Sequence, residues 1–397
     1  MKILMPFWRR VGKERGFYEH FSARLTEVAR ESGHSVARFE FLVPGQVLPE
    51  ERNRLQQLLM REAFDFVLDL SCKGGVHLSE SVWDGSDTGE SLLDSVELPY
   101  VGMLLDQVYL QAMLALVRGE RVYLALPDEL HDEQLTLLYP EHTWAGTLVA
   151  PPAVRLADDR SVAPWSDRDL ELLYVGNIDP ETLQRRWRGE PEAAVLDAVA
   201  DHAVLVPDMP LQHCYLDVIG SLGLTHTPKL ASIVLPRVES YLRARFRHDL
   251  VLAAAKSGVG LCLVGSGWDQ FSLPPNVHRH SPVDYAGLLS LYGRSKVCLE
   301  ASTYLGGASD RVFGATVNGA MCVTNTERYL SPFYGDDGAV AFYSLRHLES
   351  LPERLQALLS AAADTTARAA EARSITLARH TWRHRLEDIV KLVADAD

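Results

Sequence analysis

Residues 302–327, STYLGGASDRVFGATVNGAMCVTNTE, hold the densest set of side chains able to do chemistry. Gly306 and Gly307 make a flexible loop, and Ser309 or Asp310 can cap a helix. Arg311 falls in the first turn of that helix, where free backbone N–H groups and the positive helix end attract an anion such as a diphosphate. The ordinary alternative for Arg311 is an exposed ion pair. Val312, Phe313, Thr316 and Val317 carry the spacing of a stripe turned to the core. Gly319 permits a tight turn into a strand that ends at Asn325, Thr326 and Glu327. A carboxylate there can accept both hydroxyls of a ribose, or simply cap the next segment. Upstream, residues 263–271 read LVGSGWDQF: Gly265 and Gly267 let backbone pass close to a flat or phosphorylated ligand, and Trp268 offers an aromatic surface beside it. A plain turn is the competing reading. His280 and Ser281, at the end of a further strand, suit a base edge held through backbone groups, or a turn alone. Near the start, WRRVGKERG (residues 8–16) sets Gly12, Lys13 and Gly16 in a basic loop that suits an anionic partner or is merely a solvated turn.

These residues must be positioned by an α/β framework. Short apolar runs rich in branched residues alternate with longer segments of helical spacing, which is the pattern of parallel strands with crossover helices. Strands are expected at residues 2–8, 35–41, 64–71, 98–106, 121–127 and 143–151, with a helix over 17–32 closed by Gly33. Residues 151–169 carry prolines and charges without periodicity, which places a domain boundary near residue 165. The pattern then restarts, with strands at 169–177, 258–266, 276–281, 295–301, 320–325 and 339–344, a helical stretch over 183–249 broken near 220–228, and helices from 345 to the end. The expectation is two Rossmann-like domains, residues 1–165 and 166–380, facing a central cleft that delivers strand-end loops to one ligand.

Composition narrows the classes. The 397 residues carry a formal net charge of −14, which excludes a chain built to coat nucleic acid or anionic lipid. With 47% hydrophobic residues the chain is globular, and no run approaches the ~20 apolar residues needed to span a bilayer. The five cysteines are scattered through apolar runs, as expected of reduced, buried thiols in a cytoplasmic protein. No CxxC or HExxH spacing supports a metal site, and no GxGxxG follows the first strand to support a nicotinamide cofactor.

Taken together, LLYVGN, LVGSGW followed by NVHRHSPV, SDRVFGATVNGAMCVTNTE and the late HTWRHRLEDIV resemble the glycosyltransferases related to the spore-maturation protein CgeB, over residues 169–390 and in the family's order. LPYVGMLLDQ is a looser likeness in the first half. The resemblance implies a GT-B architecture. The second domain would take a nucleoside-diphosphate-sugar co-substrate, the first would take an acceptor, and residues 381–397 would pack back on the first domain. It assigns donor contacts to Gly176, Asn177, Gly265, Gly267, Trp268, His280, Ser281, Asp310, Arg311, Asn325 and Glu327. Gly12, Lys13 and Gly16 would serve the acceptor or the diphosphate. No Asp-x-Asp motif stands at a strand end, so metal-independent transfer without a cofactor is expected, Arg311 and its helix end stabilising the leaving group, with Arg294 and Lys296 in reserve. An inverting reaction would need a base in the first domain, for which His20 is placed, with Asp106 to orient it. One departure stands out: where many relatives carry Glu in an Arg-x-Phe-Glu-Ala motif, this chain has Gly314, leaving Glu327 to hold the ribose. A non-catalytic two-domain binder of a phosphorylated ligand, and a GT-B-fold epimerase of nucleotide sugars, are the rival readings.

Overall fold

The computed structural model describes residues 1–8, 17–41, 48–75, 78, 97–117, 119–154, 162–325, 327–336 and 338–395. The chain forms two compact units, Met1–Arg155 with Thr381–Asp397, and Leu156–His380.

The first unit runs β1 (Lys2–Trp8), α1 (Phe17–Glu31), β2 (Ser35–Phe41), α2 (Pro49–Arg61), β3 (Phe66–Leu70), β4 (Tyr100–Met103), β5 (Val122–Leu126), α3 (His131–Leu138) and β6 (Gly146–Val149). Its six strands pair in parallel in the order β2-β1-β3-β4-β5-β6. Every residue of β3, β4 and β5 is buried. That is why these strands read as near-continuous apolar runs rather than alternating ones, with Asp69 in β3 the exception.

The second unit runs β7 (Leu170–Val175), α4 (Ala193–Leu205), α5 (Leu211–Ser221), α6 (Pro228–Ala255), β8 (Leu261–Val264), β9 (Val277–His280), α7 (Tyr285–Arg294), β10 (Ser295–Leu299), α8 (Asp310–Val317), β11 (Met321–Thr324), α9 (Glu327–Tyr334), β12 (Ala341–Phe342), α10 (Leu351–Ser360) and α11 (Ala362–Arg379). Its six parallel strands stand in the order β12-β11-β10-β7-β8-β9. The sheet therefore reverses its winding between β10 and β7. Loops leaving the carboxyl ends of two such strands diverge to opposite faces, and the gap between them is where open parallel sheets take their ligands. The first sheet has the corresponding reversal between β1 and β3.

Sequence signals set the helix ends that matter here. Thr227 caps α6 by accepting from Leu230 N at 3.1 Å, and Pro228 starts the helix. Ser309 caps α8, accepting from Arg311 N at 3.3 Å. The last helix, α12 (Trp382–Ala394), opens with a reciprocal cap between Thr381 and His384. It packs on α1 through Trp382, whose ring centroid lies 5.3 Å from that of Phe21. Arg385 Nε donates to Pro151 O at 2.8 Å, and Trp382 N to Val154 O at 3.1 Å. All five cysteines are free and buried. Among the described residues no helix is long and apolar enough to cross a membrane.

Candidate functional site

The loops at the ends of β7 and β8 pack against each other. Gly176 N donates to Val264 O, Ile178 N to Ser266 O, and Ser266 N to Asn177 Oδ1 at 2.9 Å. Gly265 (φ +143°) and Gly267 (φ +86°) are glycines because of this contact. A Cβ would lie 2.3 Å from Gly176 O at the first and 1.8 Å from Ile178 O at the second. The close approach expected here for a ligand is therefore made by a neighbouring loop. Trp268 likewise turns inward rather than toward a ligand. Its side chain is 1% exposed, sits edge-on to Tyr174 and donates Nε1–H to Gly176 O at 2.7 Å. It ties the two loops from below and presents no surface on which a base could stack.

The reversal between β10 and β7 is flanked by two arginines. Arg247, on α6, donates one terminal nitrogen to Asn177 O at 2.6 Å, just past the end of β7. Its Nε is buried with no hydrogen-bond partner among the described residues. Burial lowers the pKa of Arg247; Tyr174 and Glu300 act upward against it, while Arg311 and Arg243 add to the lowering. Arg311 stands in the first turn of α8, as its sequence position requires, and reaches back across the loop to the end of β10. There its terminal nitrogen lies 3.2 Å from Glu300 Oε1. The Arg311 side chain is 30% exposed and that of Glu300 only 2%. Burial opposes the charge of Arg311, but Glu300 and Asp310 outweigh it and raise its pKa above the ordinary value. Glu300 is itself raised by burial, against the pull of Arg311 and Ser309. Asp310, beside them, is likewise raised by burial and lowered by Arg311.

Glu300 was legible in the sequence only as the tail of a strand. Nothing in its spacing announces that the loop from 301 to 309 folds back to set Ser309 and Arg311 on its carboxylate. The other strand-end candidates fall elsewhere. Asn325 spends its amide on Ser302, accepting from Ser302 N and donating to Ser302 O, both at 2.8 Å. It thus fastens the loop after β10 instead of presenting an open edge. Glu327 opens α9, and its side chain lies outside the described residues. His280 and Ser281 are exposed at the end of β9, the outermost strand on that side, with His280 Nδ1 2.7 Å from Ser281 O. The structure does not bring them to the reversal. Arg294 pairs with Asp169 at the opposite, amino-terminal edge of β7 and β10, and so is no reserve for the leaving group. Gly314 is buried in α8, and a Cβ there would lie 2.9 Å from Cε2 of Tyr292. The ring of Tyr292 fills the space that a carboxylate side chain would need.

In the first unit, Gly12, Lys13 and Gly16 lie outside the described residues. His20 is half-buried on α1, and burial, aided by Arg24, holds its pKa down at about 4. Its imidazole is neutral at physiological pH. Asp106 accepts from Gln107 N at 3.3 Å in the loop after β4. Sequence reasoning missed the β3 loop at the first sheet's reversal. Ser71 and Cys72 follow β3 with φ of +55° and +53°, and Lys73 Nζ stands 3.9 Å over the Tyr18 ring. Beneath them Asp69 is fully buried, accepting from Gly74 N and Tyr100 Oη, both at 2.7 Å, and burial pushes its pKa up to about 7. Left-handed backbone at two successive non-glycine residues is costly and persists only where the surroundings enforce it. Among the described residues no group of three or more His, Cys, Asp and Glu is placed to hold a metal ion.

Residues 243–391 match the family described as glycosyl transferase-like. Among solved structures, AviGT4, a glycosyltransferase involved in avilamycin A biosynthesis, is 16% identical with TM-score 0.53, over 99% of this chain and 97% of that one. A sucrose-phosphate synthase from Thermosynechococcus elongatus is 13% identical with TM-score 0.55, over 99% and 98%. An alpha-glucosyltransferase in complex with UDP-glucose and DNA containing an abasic site is 12% identical with TM-score 0.58, over 99% of each. No curated protein matches the sequence. The chain thus has the GT-B fold of glycosyltransferases, with two Rossmann-like domains.

Proposed function

We propose that the protein is a glycosyltransferase of the CgeB-like kind, acting in the cytoplasm without a metal or other cofactor. It moves a sugar from a nucleoside-diphosphate donor to a protein, glycan or small-molecule acceptor. The observation that carries this reading is the pair Arg247 and Arg311. Each guanidinium is fastened by a single terminal nitrogen, one past the end of β7 and the other past the end of β10, on either side of the reversal. In a structural arginine the nitrogens are spent: Arg168, 3% exposed, gives Nε and both terminal nitrogens to the carbonyls of Ala163, Ser295 and Asn318. Arg247 and Arg311 keep donors in hand, beside the N-terminus of α8, where an anion is favoured.

In this reading the two guanidiniums and the α8 end bind the donor diphosphate and take up the charge that develops as the sugar departs, so that no metal is required. The glycosyl-transferase-like match over residues 243–391 includes both arginines. The first unit takes the acceptor. His20, neutral above about pH 4, receives the acceptor proton if the reaction inverts the anomeric centre. The test is a thermal-shift screen with UDP, GDP, ADP, CDP and dTDP in EDTA, followed by product analysis with the matching nucleotide sugars, with and without candidate acceptors. One diphosphate should stabilise without magnesium, since a ligand that binds only the folded state must raise the melting temperature. Sugar transfer only in the presence of acceptor supports a transferase; a changed sugar nucleotide without one supports the epimerase.

A further inference from the structure

We infer that Glu300 is the positioning residue of this anion grip, a role that rests on the donor-site reading above. The backbone of Glu300 is clamped on both sides: its N–H donates to Val323 O at 2.9 Å and its carbonyl accepts from Tyr343 Oη at 2.8 Å. The side chain is buried, and one oxygen, Oε1, receives both Ser309 Oγ at 2.8 Å and Arg311 at 3.2 Å. A single carboxylate therefore aligns the cap of α8 and the arginine of its first turn, the two features that make this helix end an anion site.

The arrangement is more than a buried ion pair closed on itself. Arg311 meets Glu300 with one nitrogen and remains 30% exposed, so its other donors stay available. The second carboxylate oxygen, Oε2, the Nε of Arg247 and the hydroxyl of Tyr292 are all buried without a hydrogen-bond partner among the described residues. All three belong to one neighbourhood: Glu300 and Arg311 influence both Arg247 and Tyr292. Buried polar atoms are normally satisfied, and two of these orphans, the Nε–H of Arg247 and the hydroxyl of Tyr292, are donors that a bound anion would satisfy, whereas Glu300 Oε2 is an acceptor that a diphosphate cannot complete. With position 314 a glycine backed by the ring of Tyr292, the carboxylate that α8 itself brings beside Arg311 is Asp310 in its first turn, and the carboxylate bonded to Arg311 comes from the end of β10. A carboxylate that holds a cation for a phosphate group is a recurring device, as in the Lys–Glu pair of protein kinases.

The experiment is isothermal titration of wild type, Glu300→Ala, Glu300→Gln, Arg311→Ala and the Glu300→Ala/Arg311→Ala double variant. The probes are inorganic pyrophosphate, the nucleoside diphosphate that stabilises wild type most, and its parent nucleoside. Glu300→Ala should weaken both diphosphates about tenfold, the lower end for one hydrogen bond to a charged group, and leave the nucleoside unchanged. Glu300→Gln, whose amide oxygen can still accept from Ser309 and Arg311, should recover most of the loss, and in the Arg311→Ala background Glu300→Ala should add only the smaller loss that passes through Ser309. If Glu300→Ala does not fold, Glu300→Asp, which withdraws the charge by one methylene, carries the same expectation. The inference falls if folded Glu300→Ala keeps full affinity, loses nucleoside and diphosphate equally, loses as much again without Arg311 as with it, or binds more tightly, which would make Glu300 a competitor of the ligand. Wild type that binds pyrophosphate through Glu300 but no nucleotide overturns the nucleotide-sugar reading and leaves the inference standing. Wild type that binds neither overturns both.

Discussion

Arg311 was legible from its place behind Ser309 and Asp310, because a helix start broadcasts itself in short polar residues and draws anions for reasons local to one turn. Arg247 and Glu300 were not. Arg247 lies in the long helical stretch, and its value comes from Asn177, 70 residues away in sequence. Glu300 ends an apolar strand, where only the packing of the next loop decides whether its carboxylate meets water or a cation. Trp268 shows the opposite failure. Its sequence neighbourhood suggested a stacking surface, but the side chain after a glycine turn can point either way, and the free carbonyl of Gly176 drew its N–H inward. At this scale, Arg311→Ala should weaken nucleoside-diphosphate binding by about 1.5–3 kcal/mol, the range for a hydrogen bond to a charged group. Titration of the folded variant checks it, and unchanged affinity would remove Arg311 from the site. Trp268→Phe should cost about 1–3 kcal/mol of stability by leaving the Gly176 carbonyl without its donor, measured by denaturant unfolding.

The elements were far more legible than the contacts. All twelve described strands of the two sheets were readable, the inner ones because parallel strands covered on both faces are largely apolar along their length, while β2 and β9 at the sheet edges carry exposed charged or polar residues. The runs overstate the strands, as residues 339–344 do: they shrink to the two residues of β12, since apolar burial continues past the last ladder bond. Which strands flank each reversal was not readable, because order in a sheet depends on the face each crossover takes. Two predictions belong here. Gly314→Ala gains up to about 1 kcal/mol of helix propensity in α8, but its Cβ would press on Tyr292 at 2.9 Å, and overpacking of about 1–3 kcal/mol should win, lowering the melting temperature. A stabilised variant would mean that Tyr292 yields freely. The β3 loop gives a pH test. Asp69, raised from 3.8 to about 7, binds its proton more tightly folded than unfolded, so its contribution to stability declines as pH rises between those values and is gone above about 7. His20, lowered from 6.5 to about 4, acts in the opposite sense over most of that range, so the total slope is uninformative. The comparison with Asp69→Asn isolates the carboxyl. Across melts from pH 5 to 8 the variant should gain on wild type as pH rises and then level off. A gap that stays constant would show that Asp69 does not titrate there.

At the scale of the whole molecule, the first unit is discontinuous in sequence: the chain leaves it, forms the second and returns as α12 to the first. Trp382 is the closing residue, 1% exposed and packed on Phe21. Trp382→Ala should therefore cost about 3–5 kcal/mol, the range for truncating a buried tryptophan, and should cost it in the first unit. Arg247 and Arg311 both belong to the second unit, on α6 and in the first turn of α8, with their partners past the ends of β7 and β10. Nucleoside diphosphate at a hundred times its dissociation constant should add about 2.7 kcal/mol to the unfolding of that unit in wild type and variant alike. Differential scanning calorimetry of both proteins, with and without the nucleotide, measures the two effects together. The expected record is a lowered first-unit transition in Trp382→Ala and an undiminished nucleotide shift in the other. If the nucleotide shift disappears while the variant is still folded, the first unit must contribute to holding the diphosphate, and a grip complete within the second unit is wrong.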